Sequence, residues 1–110
     1  MTQQITPRYK LMLFYELSTD DTHAYYQFLM MEMIPSLRAL GVYIFRAFQV
    51  IPASPENSPQ MRQIEFVAED LETLRMVLGS RRWKLYEEWL LAHATNYRKK
   101  IVRFRPGFQL

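Results

Sequence analysis

The chain has no cysteine, which removes disulfides, thiol redox chemistry and thiolate metal ligands together. It also lacks a long apolar run. The first, Leu11–Tyr15, is far too short for a signal-peptide core or a membrane span. No membrane partner is expected on this ground, and a cytoplasmic location is the default. Strong charge of one sign is missing as well. The formal net charge of +3 comes from the basic stretch Arg98, Lys99, Lys100, Arg103 and Arg105, while the acids gather in helical stretches. That balance is too weak to demand nucleic acid or an anionic surface. There is no internal repeat and no low-complexity segment.

What is present in quantity is apolar and aromatic surface: 49% of the 110 residues are hydrophobic and 15% aromatic. A chain of this length is one domain, here 1–110 with tails at 1–8 and 105–110. Folding hides only about two-thirds of the surface that such a chain exposes when unfolded. So rich a supply implies an aromatic core together with apolar surface covered by a partner.

Along the chain, Tyr9–Leu17 (YKLMLFYEL) is bulky, apolar and of strand length. STDD follows, a helix start in which Ser18 or Thr19 caps and Asp20 and Asp21 suit the positive end of the dipole. Phe28, Met31, Ile34 and Leu37 then recur at helical spacing up to Gly41, a C-terminal stop. Pro35 interrupts this helix and predicts a kink, since an interior proline loses a backbone bond and costs about 3 kcal/mol. Val42–Ile51 is β-branched and aromatic, a second strand. PASPENSP is a proline-rich loop, and Arg62–Val67 is a short third strand. Asp70–Leu78 reads as a helix ended by Gly79, and Ser80 caps a last helix from Arg81 to about Thr95. Arg98–Phe104 is the fourth strand.

The order β-α-β-β-α-β predicts an α+β, ferredoxin-like domain: a four-stranded antiparallel sheet with helices on one face. Strand 2 places Tyr43, Phe45 and Ala47 on one side and Val42, Ile44 and Phe48 on the other. A strand apolar on both sides belongs to a sheet covered on both. Two helical segments cover one face, so a second copy of the chain is the expected cover of the other, making a homodimer.

Three segments carry a likeness to a known superfamily. The first strand ends in YELSTDD and runs straight into an amphipathic helix. That helix closes with MIPSLRALGV, a proline near its end and a glycine before strand 2. LGSRRWKLYEEW opens the last helix with a small-residue turn and a tryptophan. Over roughly residues 9–104 the chain resembles the dimeric α/β-barrel superfamily, within it the NIPSNAP-like and antibiotic-biosynthesis-monooxygenase-like members. The resemblance implies a homodimer whose sheets face each other, with a cleft between each sheet and its helices. Some members oxidise polyketides or degrade haem there. The haem-degrading members place an Asn on strand 1, which this strand lacks, and Trp83 and His93 do not fall clearly on their Trp and His. No haem, metal or other cofactor is expected.

The candidate site residues are Tyr15, Arg46, Glu65, Trp83 and His93. His93 falls on the stripe Trp83–Tyr86–Leu90–His93–Tyr97 and suits a general base, although a histidine near a helix C-terminus also satisfies free carbonyls. It is expected to be at least partly buried. Arg46, Glu65 and Glu16 are charges within apolar strands. They invite an ion pair that could orient an acidic substrate or act in general acid–base chemistry, or merely bridge an interface. Tyr15, Tyr25, Tyr26, Tyr43, Trp83 and Trp89 would line an aromatic pocket or fill a core. Met30, Met31 and Met33 suit adaptable packing, and His23 a solvated helix start. RQIEFV and LFYEL echo an RNA-recognition sheet, but without its glycines.

These residues predict a small-molecule-binding protein or a cofactor-independent oxygenase or isomerase acting on an apolar or aromatic compound. The alternative is a non-catalytic structural or interaction module, and RNA binding stands behind both. The cleft between sheet and helices discriminates: open and lined by His93 and Arg46 for the enzyme, filled for the module.

Overall fold

The computed structural model describes residues 5–17, 22–50 and 60–105. Its elements run β1 (Tyr9–Leu17), α1 (Thr22–Phe28), a π-helical turn (Leu29–Met33), α2 (Ile34–Ala39), β2 (Tyr43–Val50), β3 (Gln60–Ala68), α3 (Leu71–Leu78), α4 (Arg81–His93) and β4 (Ala94–Arg103). The four strands form one sheet in the order β2-β3-β1-β4, every neighbour antiparallel. The expected order of strands and helices is the order found. The STDD helix start and the proline-rich loop lie outside the described residues.

Strand alternation decides what the sheet buries, because successive side chains point to opposite faces. On β1 the odd positions Leu11, Leu13, Tyr15 and Leu17 are at most 2% exposed. They form one core with Ile64 and Phe66 of β3 and with Tyr25, Met33, Leu37, Leu74, Trp83 and Leu90 from the helices. The even positions Lys10, Met12, Phe14 and Glu16 belong to the opposite face, paired with Val67, Glu65, Gln63 and Met61 of β3.

Local signals account for the helix ends. Ser80 accepts the Trp83 amide at 3.2 Å, so the predicted cap of the last helix is made, and Asp70, read as the first helical residue, instead caps α3 by accepting the Thr73 amide at 2.7 Å. Gly41 sits at φ +92, where a side chain would be strained, and a Cβ there would lie 3.2 Å from Thr73 Cγ2. Pro35 is absorbed by the π-helical turn just before it. The Ile34 amide bonds the Leu29 carbonyl, five residues back, and α2 restarts with the proline in its first turn, where a missing N–H costs nothing.

Several boundaries differ from the sequence reading, β3 for one running Gln60–Ala68 rather than Arg62–Val67. The last helix ends at His93 rather than Thr95, and β4 begins at once with Ala94 rather than Arg98. Tyr97 therefore lies on a strand and not on the helix stripe. The chain is already extended at Ala94, and within the strand Asn96 adopts φ 53, a left-handed conformation that asparagine tolerates. It forms a bulge: β1 advances from Phe14 to Glu16 while β4 runs from Arg98 back to Thr95.

A second bulge overturns the expected sides of β2. Ile44 pairs with Phe66 and Arg46 with Glu65, so Phe45 is the extra residue between them. Ile44 and Ala47 register with the helix side, whereas Arg46, Phe48 and Val50 register with Glu65, Gln63 and Met61 on the other. Simple period-two counting fails across such an insertion.

Candidate functional site

Tyr15 and Trp83 lie between sheet and helices, and both are fully buried. The Tyr15 hydroxyl is 2.6 Å from that of Tyr25 on α1, and its ring stacks on Tyr97 at 6.5 Å. Arg62, opposite Tyr15 on β3, sets its guanidinium 5.7 Å from the Tyr25 ring and 5.6 Å from the Tyr26 ring. Burial pushes Tyr25 up to about 12. It pushes Tyr15 higher still, with the neighbouring Tyr25 adding to the rise. Both phenols are therefore neutral donors and not bases. Tyr97 donates to Glu87, which also pairs with Lys99. Where a cleft was expected, the described residues pack the gap with side chains.

Arg46 and Glu65 are brought together on the opposite, helix-free face. Glu65 is 1% exposed although no helix among the described residues covers it. Its Oε1 takes Arg46 Nε at 2.7 Å and Lys10 Nζ at 3.1 Å, and its Oε2 takes Gln63 Nε2 at 2.6 Å. Burial acts to raise this carboxyl, but the three donors outweigh it and hold it below the ordinary value. Aromatic rings surround the network. The Arg46 guanidinium lies 5.1 Å from the Phe45 ring and 5.2 Å from Phe48, and Lys10 is 5.8 Å from both Phe45 and Phe104. Phe14 lies beneath Arg98 and Lys100. Phe45, Phe48, Val50 and Met61 remain 37–43% exposed.

His93 stands in neither place. Half-buried at the end of α4, it stacks on Trp89 at 4.0 Å, and Trp89 stacks in turn on Phe28 at 4.1 Å. Its Nδ1–H donates to the Trp89 carbonyl at 2.9 Å, the use expected of a histidine at a helix C-terminus. The candidate residues thus occupy separate settings. Tyr15 and Trp83 are in the core, Arg46 and Glu65 on the open sheet face, and His93 in the helix layer. His23 is exposed, as are Met30 and Met31, while only Met33 of that trio packs inside. Glu16 accepts from Asn96 at 2.9 Å.

Sequence reasoning passed over Lys10 and Arg62, both buried. The signal that singled out Arg46 and Glu65, a charge inside an apolar strand, applied equally to them. Tyr97 was placed on the wrong element and so could not be matched with Tyr15.

The helix layer itself carries an open groove of about 540 Å³. Ala24, Gln27, Phe28, Met31 and Glu32 form one wall, and Leu85, Tyr86 and Trp89 the other. Another hollow, about 450 Å³, lies beside Arg8, Asp70 and Arg103. Among the described residues no group of His, Asp and Glu converges as metal ligands would. Nor is any helix among them long and apolar enough to cross a membrane.

An antiparallel sheet in this strand order, with its helices on one face, defines a ferredoxin-like α+β domain. No protein-family model matches the sequence, and no curated protein matches it. Solved structures do share the fold. One is an antibiotic biosynthesis monooxygenase candidate from Deinococcus radiodurans, at TM-score 0.71 and 10% identity over 93% of this chain and 97% of that one. A NIPSNAP family protein from Agrobacterium tumefaciens superposes at 0.61 with 13% identity, covering 98% and 95%. An ethyl tert-butyl ether d family protein from Bacillus halodurans gives 0.64 and 17%, covering 89% and 99%. At such identities the likeness is one of fold, and it is the fold of the superfamily that the sequence resembles.

Proposed function

We propose that the chain is a ligand-binding protein for a small apolar or aromatic compound and works as a homodimer, sheet face to sheet face. The observation that carries this is the helix-free face, where Phe45, Phe48, Val50 and Met61 stay more than a third exposed around a carboxylate that is already buried. Apolar patches of that kind on soluble chains mark interaction surfaces. A two-fold related copy presents the same patch and covers both. The neighbours in fold, one of them a monooxygenase candidate, support small-molecule binding.

Binding suits the geometry better than turnover. His93 and Arg46 face no common space, and the tyrosine hydroxyls of the sheet–helix gap are spent on each other. The oxygenase or isomerase expectation thus lacks a shared cleft for its residues. RNA binding would need rings free for stacking, yet cations lie over Phe14, Phe45 and Phe48, with Glu65 at the centre.

Light scattering on dilute protein tests the dimer directly. The expected mass is twice the 13.3 kDa of the chain, and Phe48→Asp is expected to give aggregate or unfolded chain in place of a folded monomer. A stable wild-type monomer at micromolar concentration overturns the proposal.

A further inference from the structure

The groove in the helix layer lies on the side of the molecule away from the open sheet face, so a partner seated on the sheet leaves it accessible. Its volume of about 540 Å³ falls within the range of about 300–1,000 Å³ typical of small-molecule sites. Its walls come from α1 with the π-helical turn and from α4, and they are held together across the gap. The Tyr86 hydroxyl donates to the Glu32 carbonyl at 3.4 Å, and Phe28 stacks on Trp89 within 5° of parallel. Phe28 also meets Tyr86 edge-on at 5.6 Å. These rings are fixed by one another, so the aromatic floor is preorganised. At the rim, Met31 is 75% and Leu85 55% exposed, apolar surface that an occupant would remove from water.

The charge of the lining selects among occupants. Among the described residues that line it, Glu32 is the one ionisable carboxylate and Gln27 the other strongly polar side chain. Among the described residues no Lys or Arg lines the groove, and no salt bridge engages Glu32. An anion entering here would meet a negative charge and no counter-charge. A neutral apolar compound would leave that carboxylate to water and gain no attraction from it.

We propose that this groove is the ligand site and that its ligand is a small cation with an apolar body, an amine or a quaternary ammonium on an aromatic frame. The apolar body rests against Met31, Leu85 and the ring edges, and the positive end faces Glu32. This rests on the ligand-binding reading above and gives it a place and a chemical class.

The two tryptophans make the test direct. Trp83 is fully buried, whereas Trp89 lines the groove. Titrating the protein with N-methylquinolinium is expected to give saturable quenching that Trp89→Phe removes and Trp83→Phe retains. The neutral isostere 1-methylnaphthalene is expected to bind about tenfold more weakly in a competition titration, equivalent to about 1.4 kcal/mol. Glu32→Gln is expected to erase that preference with the melting temperature unchanged, since Glu32 is exposed. Equal affinity for cation and neutral compound, or a preference that survives Glu32→Gln, overturns the cation assignment. If the probe binds Leu85→Lys as well as wild type, it sits elsewhere, and the groove fails while ligand binding stands. If neither probe binds, both readings fall.

Discussion

Glu65 is held by Arg46, Gln63 and Lys10 on a face that no helix shields. Its carboxyl is depressed in the folded chain relative to the ordinary value of 4.5. The network therefore stabilises the fold above about pH 4.5, and that contribution drains away as pH falls through the folded value. Glu65→Gln is expected to cost about 2 kcal/mol at pH 7, the scale of hydrogen bonds to a charged group. The variant should also flatten the acid limb of stability against pH. Urea melts at pH 7 and pH 4 check this, and equal losses at both values would deny the carboxylate its role. At this scale the sequence was legible for Arg46 with Glu65, because a charge inside a strand must find a partner. It was blind to the Tyr15–Tyr25 hydroxyl pair, since nothing local links positions ten residues apart on different elements.

Elements were more legible than single contacts. Capping residues, the stop at Gly41 and the run of strands and helices are local signals, and local signals survive tertiary context. Bulges do not announce themselves in this way. One extra residue, Phe45 or Asn96, turns everything beyond it to the other face, and only the partner strand reveals it. The Asn96 bulge gives a measurable consequence. With φ 53, Asn96→Ala is expected to cost about 1–2 kcal/mol for the left-handed backbone, and the bond to Glu16 is lost besides. Asn96→Gly, which accepts that conformation, should stay within about 0.5 kcal/mol of wild type. Thermal melts of the two variants separate backbone strain from the side-chain bond. If Gly is as damaging as Ala, the Glu16 bond and not the backbone sets the cost.

For the molecule as a whole, the apolar excess of the composition raises the expectation of a partner, and the rings of one sheet face are left partly exposed. The candidate site was the least legible part. The residues singled out lie in three separate settings, core, open sheet face and helix layer, and the groove arises from the pairing of α1 with α4, which no single segment encodes.

The sheet order leaves β2 and β4 at its two margins, and those margins are chemically unlike. β4 presents Arg98, Lys99, Lys100 and Arg103, whereas β2 has Arg46 as its one charge. Unpaired backbone groups on a margin are a template for further strands, and cations are what blunts it. Chain-to-chain strand addition should thus start from β2, so fibrillation of this protein would have a direction. Ala47→Lys, on the helix side of β2 and away from the proposed dimer face, is expected to delay thioflavin-positive aggregation at elevated temperature. Lys100→Ala is expected to open the β4 margin and shorten the lag.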